Sequence, residues 1–118
     1  LPTVILPGYL AGAIAYRDLE QALKQQGIPT VTVPLRWQDW LPTLGGRTVS
    51  PILRQIDQTV RQVQQTTGAT KVNLIGHSAG GWIARIYLGD TPYAIHPQDS
   101  PETVWKARSR VHTLLTLG

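Results

Sequence analysis

The stretch that decides the fold is Lys71-Val72-Asn73-Leu74-Ile75-Gly76-His77-Ser78-Ala79-Gly80-Gly81-Trp82-Ile83-Ala84-Arg85-Ile86-Tyr87-Leu88. It begins with an apolar run that contains β-branched side chains, which predicts a short buried strand. It ends with apolar side chains at helical spacing, which predicts a helix. Glycines lie at the junction, so we expect the chain to turn sharply from the strand into the helix.

Gly76, Ser78 and Gly80 spell the pattern G-x-S-x-G at this junction, which we call the elbow (residues 76–80). Between a strand and a helix, the pattern predicts a serine whose strained backbone lifts its Oγ clear of the sheet as a nucleophile. Glycines flank the serine because a β-carbon there would collide with the neighbouring strand or with the helix. The N–H groups of the helix N-terminus point at the serine, where negative charge develops during acyl transfer.

Two other interpretations of the elbow start from the same residues. A glycine-rich turn that only packs the helix against the sheet is the plainer one. A phosphate-binding loop is weaker, because Ser78 occupies the position where a dinucleotide motif needs its second glycine. The chain also lacks the Gly-Lys-Ser/Thr sequence of a P-loop.

Length and composition bound the remaining classes. We treat residues 1–118 as a single, partial domain. The absence of cysteine gives no sign of an oxidising compartment, so cytosolic and exported locations both stay open. The three histidines lie far apart without an H-E-x-x-H pattern, so we predict no metal and no cofactor. The modest net charge of +4 comes without an aromatic-interleaved basic patch, so we predict no nucleic-acid partner.

Strand and helix patterns alternate along the chain. We predict strands and helices in the order Thr3–Leu6, Tyr16–Gln26, Pro29–Pro34, Ser50–Thr67, Lys71–Ile75, Gly81–Leu88 and Val111–Leu117, with helices second, fourth and sixth, each marked by an apolar stripe. Gly68 ends the second helix, and Gly27 ends the first in a position that favours a left-handed cap. Residues 35–49 are expected to form an irregular loop, and residues 89–107 a surface excursion rich in proline and polar groups. This alternation predicts an α/β fold with a mostly parallel sheet and helices on both faces.

The chain resembles the α/β-hydrolases, in particular the lipase- and esterase-like serine hydrolases of plants and cyanobacteria. Besides the elbow, the resemblance includes the loop Leu6-Pro7-Gly8-Tyr9, which stands where commoner members have His-Gly. It extends to the closing Leu115-Thr116-Leu117-Gly118. The resemblance implies a partial α/β-hydrolase fold, in which these strands are the third to sixth of eight and lie in the order four, three, five, six.

The same resemblance implies roles for individual residues. Ser78 is expected to be the catalytic nucleophile, and the backbone N–H of Ala79 one donor of the oxyanion hole. The second donor is expected to be the N–H of Tyr9, with that of Leu10 as the neighbouring alternative. His77 has the chemistry of a general base, but in an elbow its side chain should point away from Ser78 Oγ, so we expect a structural role.

The acid and the histidine of a catalytic triad are not assigned within the chain. In this fold they follow the serine in the order acid, then histidine, on loops after later strands. Asp90, Asp99 and His96 fall in the surface excursion, and His112 falls at the start of the last strand, so each would need an unusual path to the elbow. We therefore expect both groups downstream of Gly118, and expect the chain to be a piece of a longer protein.

The predicted function is hydrolysis of carboxylic esters through Ser78 and an acyl-enzyme. A lipid or other acyl ester as substrate is an implication of the resemblance, and acyl transfer to an alcohol is a variant of the same chemistry. The alternative is a non-catalytic binding or structural module that keeps the fold. Further partner predictions are peripheral contact with a membrane and pairing through the exposed C-terminal edge strand, because an apolar edge is a template for other strands.

Overall fold

The computed structural model describes residues 1–8, 13–36, 38–40, 50–89 and 107–117. The elements alternate along the chain as β1 (Thr3–Leu6), α1 (Arg17–Gln25), β2 (Thr30–Thr32), α2 (Ser50–Thr67), β3 (Val72–His77), α3 (Ala79–Leu88) and β4 (Val111–Leu117). Short 3₁₀ turns at Ala13–Tyr16 and Ala107–Arg110 lead into α1 and β4. Among the described residues, the predicted alternation of strand and helix is confirmed.

The four strands form one sheet in the order β2-β1-β3-β4, and every neighbouring pair is parallel. Each crossover between parallel strands passes over a face of the sheet, which is why helices separate strands along the chain. The order places β1 and β3 in the centre, where the backbone bonds of each strand are made on both sides. The predicted α/β class with a parallel sheet is thereby confirmed, and the order is the one that the resemblance implies.

Helices cover both faces of this sheet. On one face, α2 and α3 pack on the strands, and the shared core contains Val4, Leu74, Ile56 and Ile83, all at most 1% exposed. On the other face, α1 lies against the β2 edge, where Thr32 Oγ1 donates a hydrogen bond to a carboxylate oxygen of Glu20. Because both faces of β1 are covered, all four of its residues are buried.

Several predicted boundaries shift in the structure. The strand predicted at Lys71–Ile75 extends two residues further, to His77, because it stays paired with β4 as far as Leu117. Tyr16, predicted to be inside the first helix, ends the 3₁₀ turn that precedes it. Gly27 has the predicted left-handed conformation after α1, with φ of 80°. Most of the loop predicted at 35–49 and of the excursion predicted at 89–107 lies outside the described residues.

Candidate active site

Ser78 has an unusual backbone conformation between β3 and α3. Its φ is 55° and its ψ is −121°, and no other non-glycine residue among those described has a positive φ. Such a conformation costs about 1–3 kcal/mol and persists only where the surrounding structure imposes it. The residue is exposed at the carboxyl end of a central strand. Ser78 is therefore held in a strained turn that presents its side chain to solvent.

Two glycines make this turn sterically feasible. A β-carbon on Gly76 would lie 2.6 Å from the Cα of Gly81, within the following helix. A β-carbon on Gly80 would lie 2.5 Å from the carbonyl oxygen of Leu6 at the end of β1. Both neighbours are backbone atoms, which no side-chain rotation can move away. The glycines of the G-x-S-x-G pattern thus allow α3 to start directly against β3 and β1, as the sequence predicts.

Strand β4 fixes the elbow from its other side. The parallel pairing of β3 with β4 continues to His77 and Leu117, and the N–H of Ser78 donates to the carbonyl oxygen of Leu117 at 2.9 Å. The carbonyl of Ser78 accepts from the N–H of Gly81 at 3.1 Å, which closes the first turn of α3. Both backbone groups of Ser78 are therefore engaged, and its hydroxyl is the group left for chemistry.

The predicted oxyanion donors can be placed only in part. Ala79 is the first residue of α3, so its N–H has no acceptor within the helix and lies at the positive end of the helix dipole. Tyr9 and its alternative Leu10 lie outside the described residues. Gly8, which precedes them, is well placed, since a β-carbon built on it would lie 3.3 Å from Ser78 Cβ. The segment that leads to Tyr9 therefore starts directly beside the nucleophile candidate.

A hydrogen-bonded chain that the sequence analysis missed links this segment to the elbow. The N–H of Gly8 donates to the hydroxyl of Tyr16 at 2.7 Å, and the same hydroxyl lies 2.7 Å from His77 Nδ1. The phenol donates to Nδ1 when the imidazole carries its proton on Nε2. The two rings also meet edge to face, with centroids 5.6 Å apart and planes at 66°. No local pattern could reveal this chain, because its members are far apart in sequence.

These contacts also bear on the two described histidines. His77 Nδ1 is engaged with Tyr16, which agrees with the structural role expected for it. His112 is exposed in an irregularity at the start of β4 and shares a 2.7 Å hydrogen bond with Thr113 Oγ1. Its neighbour Thr113 pairs with Asn73, which precedes Ser78 by five residues, so His112 lies about 16 Å from Ser78 along the strand. Neither histidine provides the general base in this arrangement.

The described residues also lack other groups that could complete a site. They contain no cluster of histidine, cysteine, aspartate or glutamate that could hold a metal ion. Asp90, Asp99 and His96 lie outside them. Ser78 therefore stands beside its backbone neighbours without a triad acid or base in the part of the chain that the structure describes.

A second polar cluster lies away from the elbow, around the buried carboxylate of Asp57 on α2. It accepts hydrogen bonds from the hydroxyl of Tyr87 at 2.7 Å, from Arg61 Nε at 2.7 Å and from an Arg110 guanidinium nitrogen at 3.2 Å. Burial raises the pKa of Tyr87 well above its usual value, and the hydrogen bond to Asp57 raises it further. The cluster joins α2, α3 and the turn before β4, at the end of the sheet opposite Ser78, so we assign it to stability.

The geometry of the elbow has no matching family model or curated relative beside it. No protein-family model matches the chain, and no curated protein matches it significantly. Among the described helices, none is long and apolar enough to cross a membrane. What supports a function is therefore the arrangement of the elbow and its neighbours.

Proposed function

We propose that this chain carries the nucleophile of a serine hydrolase that cleaves carboxylic esters, with apolar acyl or lipid esters as the substrate class. The observation that carries the proposal is the positive φ of Ser78 at a strand-to-helix junction. A β-carbon makes this conformation costly, yet the chain has a serine there, between the two glycines of the motif. A turn that only had to pack could use glycine at this position as well.

The proposed chemistry follows from the groups around the elbow. Ser78 Oγ attacks the ester carbonyl carbon, and the carbonyl oxygen becomes an oxyanion beside the N-terminus of α3. The N–H of Ala79 donates to that oxyanion, and the N–H of Tyr9 is the proposed second donor. Collapse of the tetrahedral intermediate breaks the bond to the alcohol oxygen, which leaves as the alcohol with the proton that came from Ser78, and an acyl group stays on Ser78. Water then attacks the acyl carbonyl, which releases the carboxylic acid and restores the serine hydroxyl. The base that takes the serine proton, and the acid that orients it, are proposed to lie outside the described residues.

Hydrolysis of 4-nitrophenyl esters of increasing acyl length tests this proposal. The protein is assayed with any sequence that continues this chain, beside a Ser78→Ala variant. We expect Ser78→Ala to lower kcat by at least about a thousandfold, since removal of a nucleophilic serine abolishes the covalent route. Ser109→Ala is the matched control, because Ser109 is exposed in the turn before β4 and should leave kcat unchanged. An esterase activity that survives Ser78→Ala would refute the proposal.

One observation favours a second candidate, a non-catalytic binding or structural module. Among the described residues, His77 is occupied by Tyr16 and His112 is remote, so no described base activates Ser78. A weak hydroxyl without a base is a poor nucleophile. This candidate predicts an intact fold with no esterase activity and no reaction of Ser78 with an electrophile.

A further inference from the structure

One side chain joins the residues after β1 to the turn before α1. Gly8 follows β1 by two residues, and Tyr16 ends the 3₁₀ turn Ala13–Tyr16. The hydroxyl of Tyr16 accepts the N–H of Gly8 at 2.7 Å, and this bond is buried. A single side chain thus ties the end of the Gly8 backbone to the turn that precedes α1.

The same hydroxyl also links Gly8 to the elbow. It lies 2.7 Å from Nδ1 of His77, the residue before Ser78. A β-carbon on Gly8 would meet the carbonyl oxygen of His77 at 3.1 Å, so the two backbones are already in close contact. Tyr16 itself is only 9% exposed, although Ile14, two residues earlier, is 79% exposed. The chain therefore turns Tyr16 inward at a point where its neighbours face solvent.

We infer that Tyr16 is a positioning residue for the proposed hydrolase: its hydroxyl ties Gly8 to His77 and so holds the backbone of Gly8 against the Ser78 elbow. This inference rests on the proposed function. The bond to Tyr16 also satisfies the buried N–H of Gly8, so Gly8 is fixed through its own backbone. The chain of bonds runs from the Gly8 N–H through the Tyr16 hydroxyl to Nδ1, and it fixes His77 in the Nε2-protonated form.

Tyr16 is placed at no reacting atom, so its effect is on the geometry of Gly8 and of the elbow beside Ser78. Tyr16→Phe removes the acceptor of a buried N–H and the donor to Nδ1, while it keeps the ring. A displacement of about 1 Å in a catalytic group can cost about a hundredfold in rate. We expect Tyr16→Phe to lower the maximal rate of acylation by about ten- to a hundredfold. The substrate or inhibitor concentration that gives half of the maximal rate should stay unchanged, because Tyr16 does not face the ligand.

Nuclear magnetic resonance tests the geometry without any need for activity. In the wild-type protein, the ring nitrogen shifts of His77 should be those of the Nε2-protonated tautomer. Tyr16→Phe should move the Gly8 amide proton upfield, because its hydrogen bond is lost, and should give a mixture of His77 tautomers. His77→Ala, at an exposed position, should move the Gly8 amide in the same direction by a smaller amount. Unchanged Gly8 and His77 signals in Tyr16→Phe would overturn the inference.

Tyr87→Phe is the matched control, since it removes another buried hydroxyl with a hydrogen bond of 2.7 Å. Tyr87 lies nine residues after Ser78, about 13 Å along α3. Tyr87→Phe should lower the melting temperature but leave the Gly8 and His77 signals unchanged. The rate of Ser78 labelling by a fluorophosphonate should stay within twofold of wild type. The loss of labelling should be confined to Tyr16→Phe.

The two proposals fail in different ways. Labelling of Ser78 that is equal in wild type and in folded Tyr16→Phe would overturn the positioning role and leave the hydrolase proposal intact. A wild-type protein that is not labelled would refute the hydrolase proposal. The resonance measurement would then still decide whether Tyr16 holds Gly8 against the elbow.

Discussion

Gly80→Ala tests the claim that the elbow depends on close approach of backbones. The added β-carbon would lie 2.5 Å from the carbonyl oxygen of Leu6 and 2.8 Å from that of Pro7. Ordinary contact begins near 3.5 Å, so α3 and the end of β1 would have to separate by about 1 Å. Because the opposing atoms belong to the backbone, a rotamer change cannot relieve the clash. The substitution should therefore force the start of α3 away from the sheet.

The size of the effect follows from two opposing terms. Overpacking of this kind costs about 1–3 kcal/mol, occasionally more, and here the opposing atoms are rigid. Alanine regains at most about 1 kcal/mol of helix propensity over glycine, and less in the first turn. Because the opposing atoms are rigid, we take the upper end of the first range and expect a net loss of about 2–3 kcal/mol in the free energy of unfolding. For a chain of this size that is a drop of about 8–12 °C in Tm.

Thermal denaturation followed by circular dichroism measures this loss, with Gly89→Ala as the control. Gly89 follows the other end of α3, has a φ of −72°, and would place its β-carbon at ordinary distances of 3.4 and 3.5 Å from Ile86 and Arg85 oxygens. That variant should stay within about 0.5 kcal/mol of wild type, or about 2 °C. Equal melting temperatures for the two variants would refute the close-approach argument.

Two further predictions concern the buried tyrosine and the sheet edge. Because the pKa of Tyr87 is raised above its usual 10.0 in the folded state, its stabilising effect is complete below pH 10 and declines as the pH rises further. The gap in Tm between wild type and Tyr87→Phe should therefore narrow from pH 8 to pH 11 in thermal scans, and a constant gap would contradict this. Leu115, 52% exposed on β4, lies on the edge strand of the described sheet. We expect the isolated chain to oligomerise with concentration in light scattering and Leu115→Lys to reduce this, whereas a monodisperse wild-type monomer would argue against edge pairing.

Much of the fold could be predicted because each element carries its own local signal. The apolar run Thr3–Leu6 and the final strand Val111–Leu117 appear with the predicted bounds. Gly68, with φ of 72°, follows the long helix where predicted. The predicted end of β3 at Ile75 was wrong, because a strand continues for as long as it stays paired. The pairing of His77 with Leu117 is not visible in the local sequence.

In the candidate site as well, features with a local sequence signal could be predicted and long-range contacts could not. The backbone of Ser78 could be predicted, since strand, glycines and helix are contiguous and leave one way to turn. The role of Tyr16 could not, because a helical stripe assigns it to an apolar face while its hydroxyl bonds Gly8 and His77. Likewise, the apolar stripe of α2 gave no sign that Asp57 is buried among partners from three elements. Long-range polar contacts have no period, so pattern analysis does not detect them.

The most direct test of the account is an intact-mass spectrum of the protein after exposure to a fluorophosphonate, with peptide mapping of the adduct. The protein should carry any sequence that continues this chain, and Ser78→Ala should be treated in parallel. The account predicts a single adduct on the peptide that contains Ser78, absent from the variant. No adduct on wild type, or an adduct that persists in Ser78→Ala, would contradict the claim that Ser78 is a catalytic nucleophile.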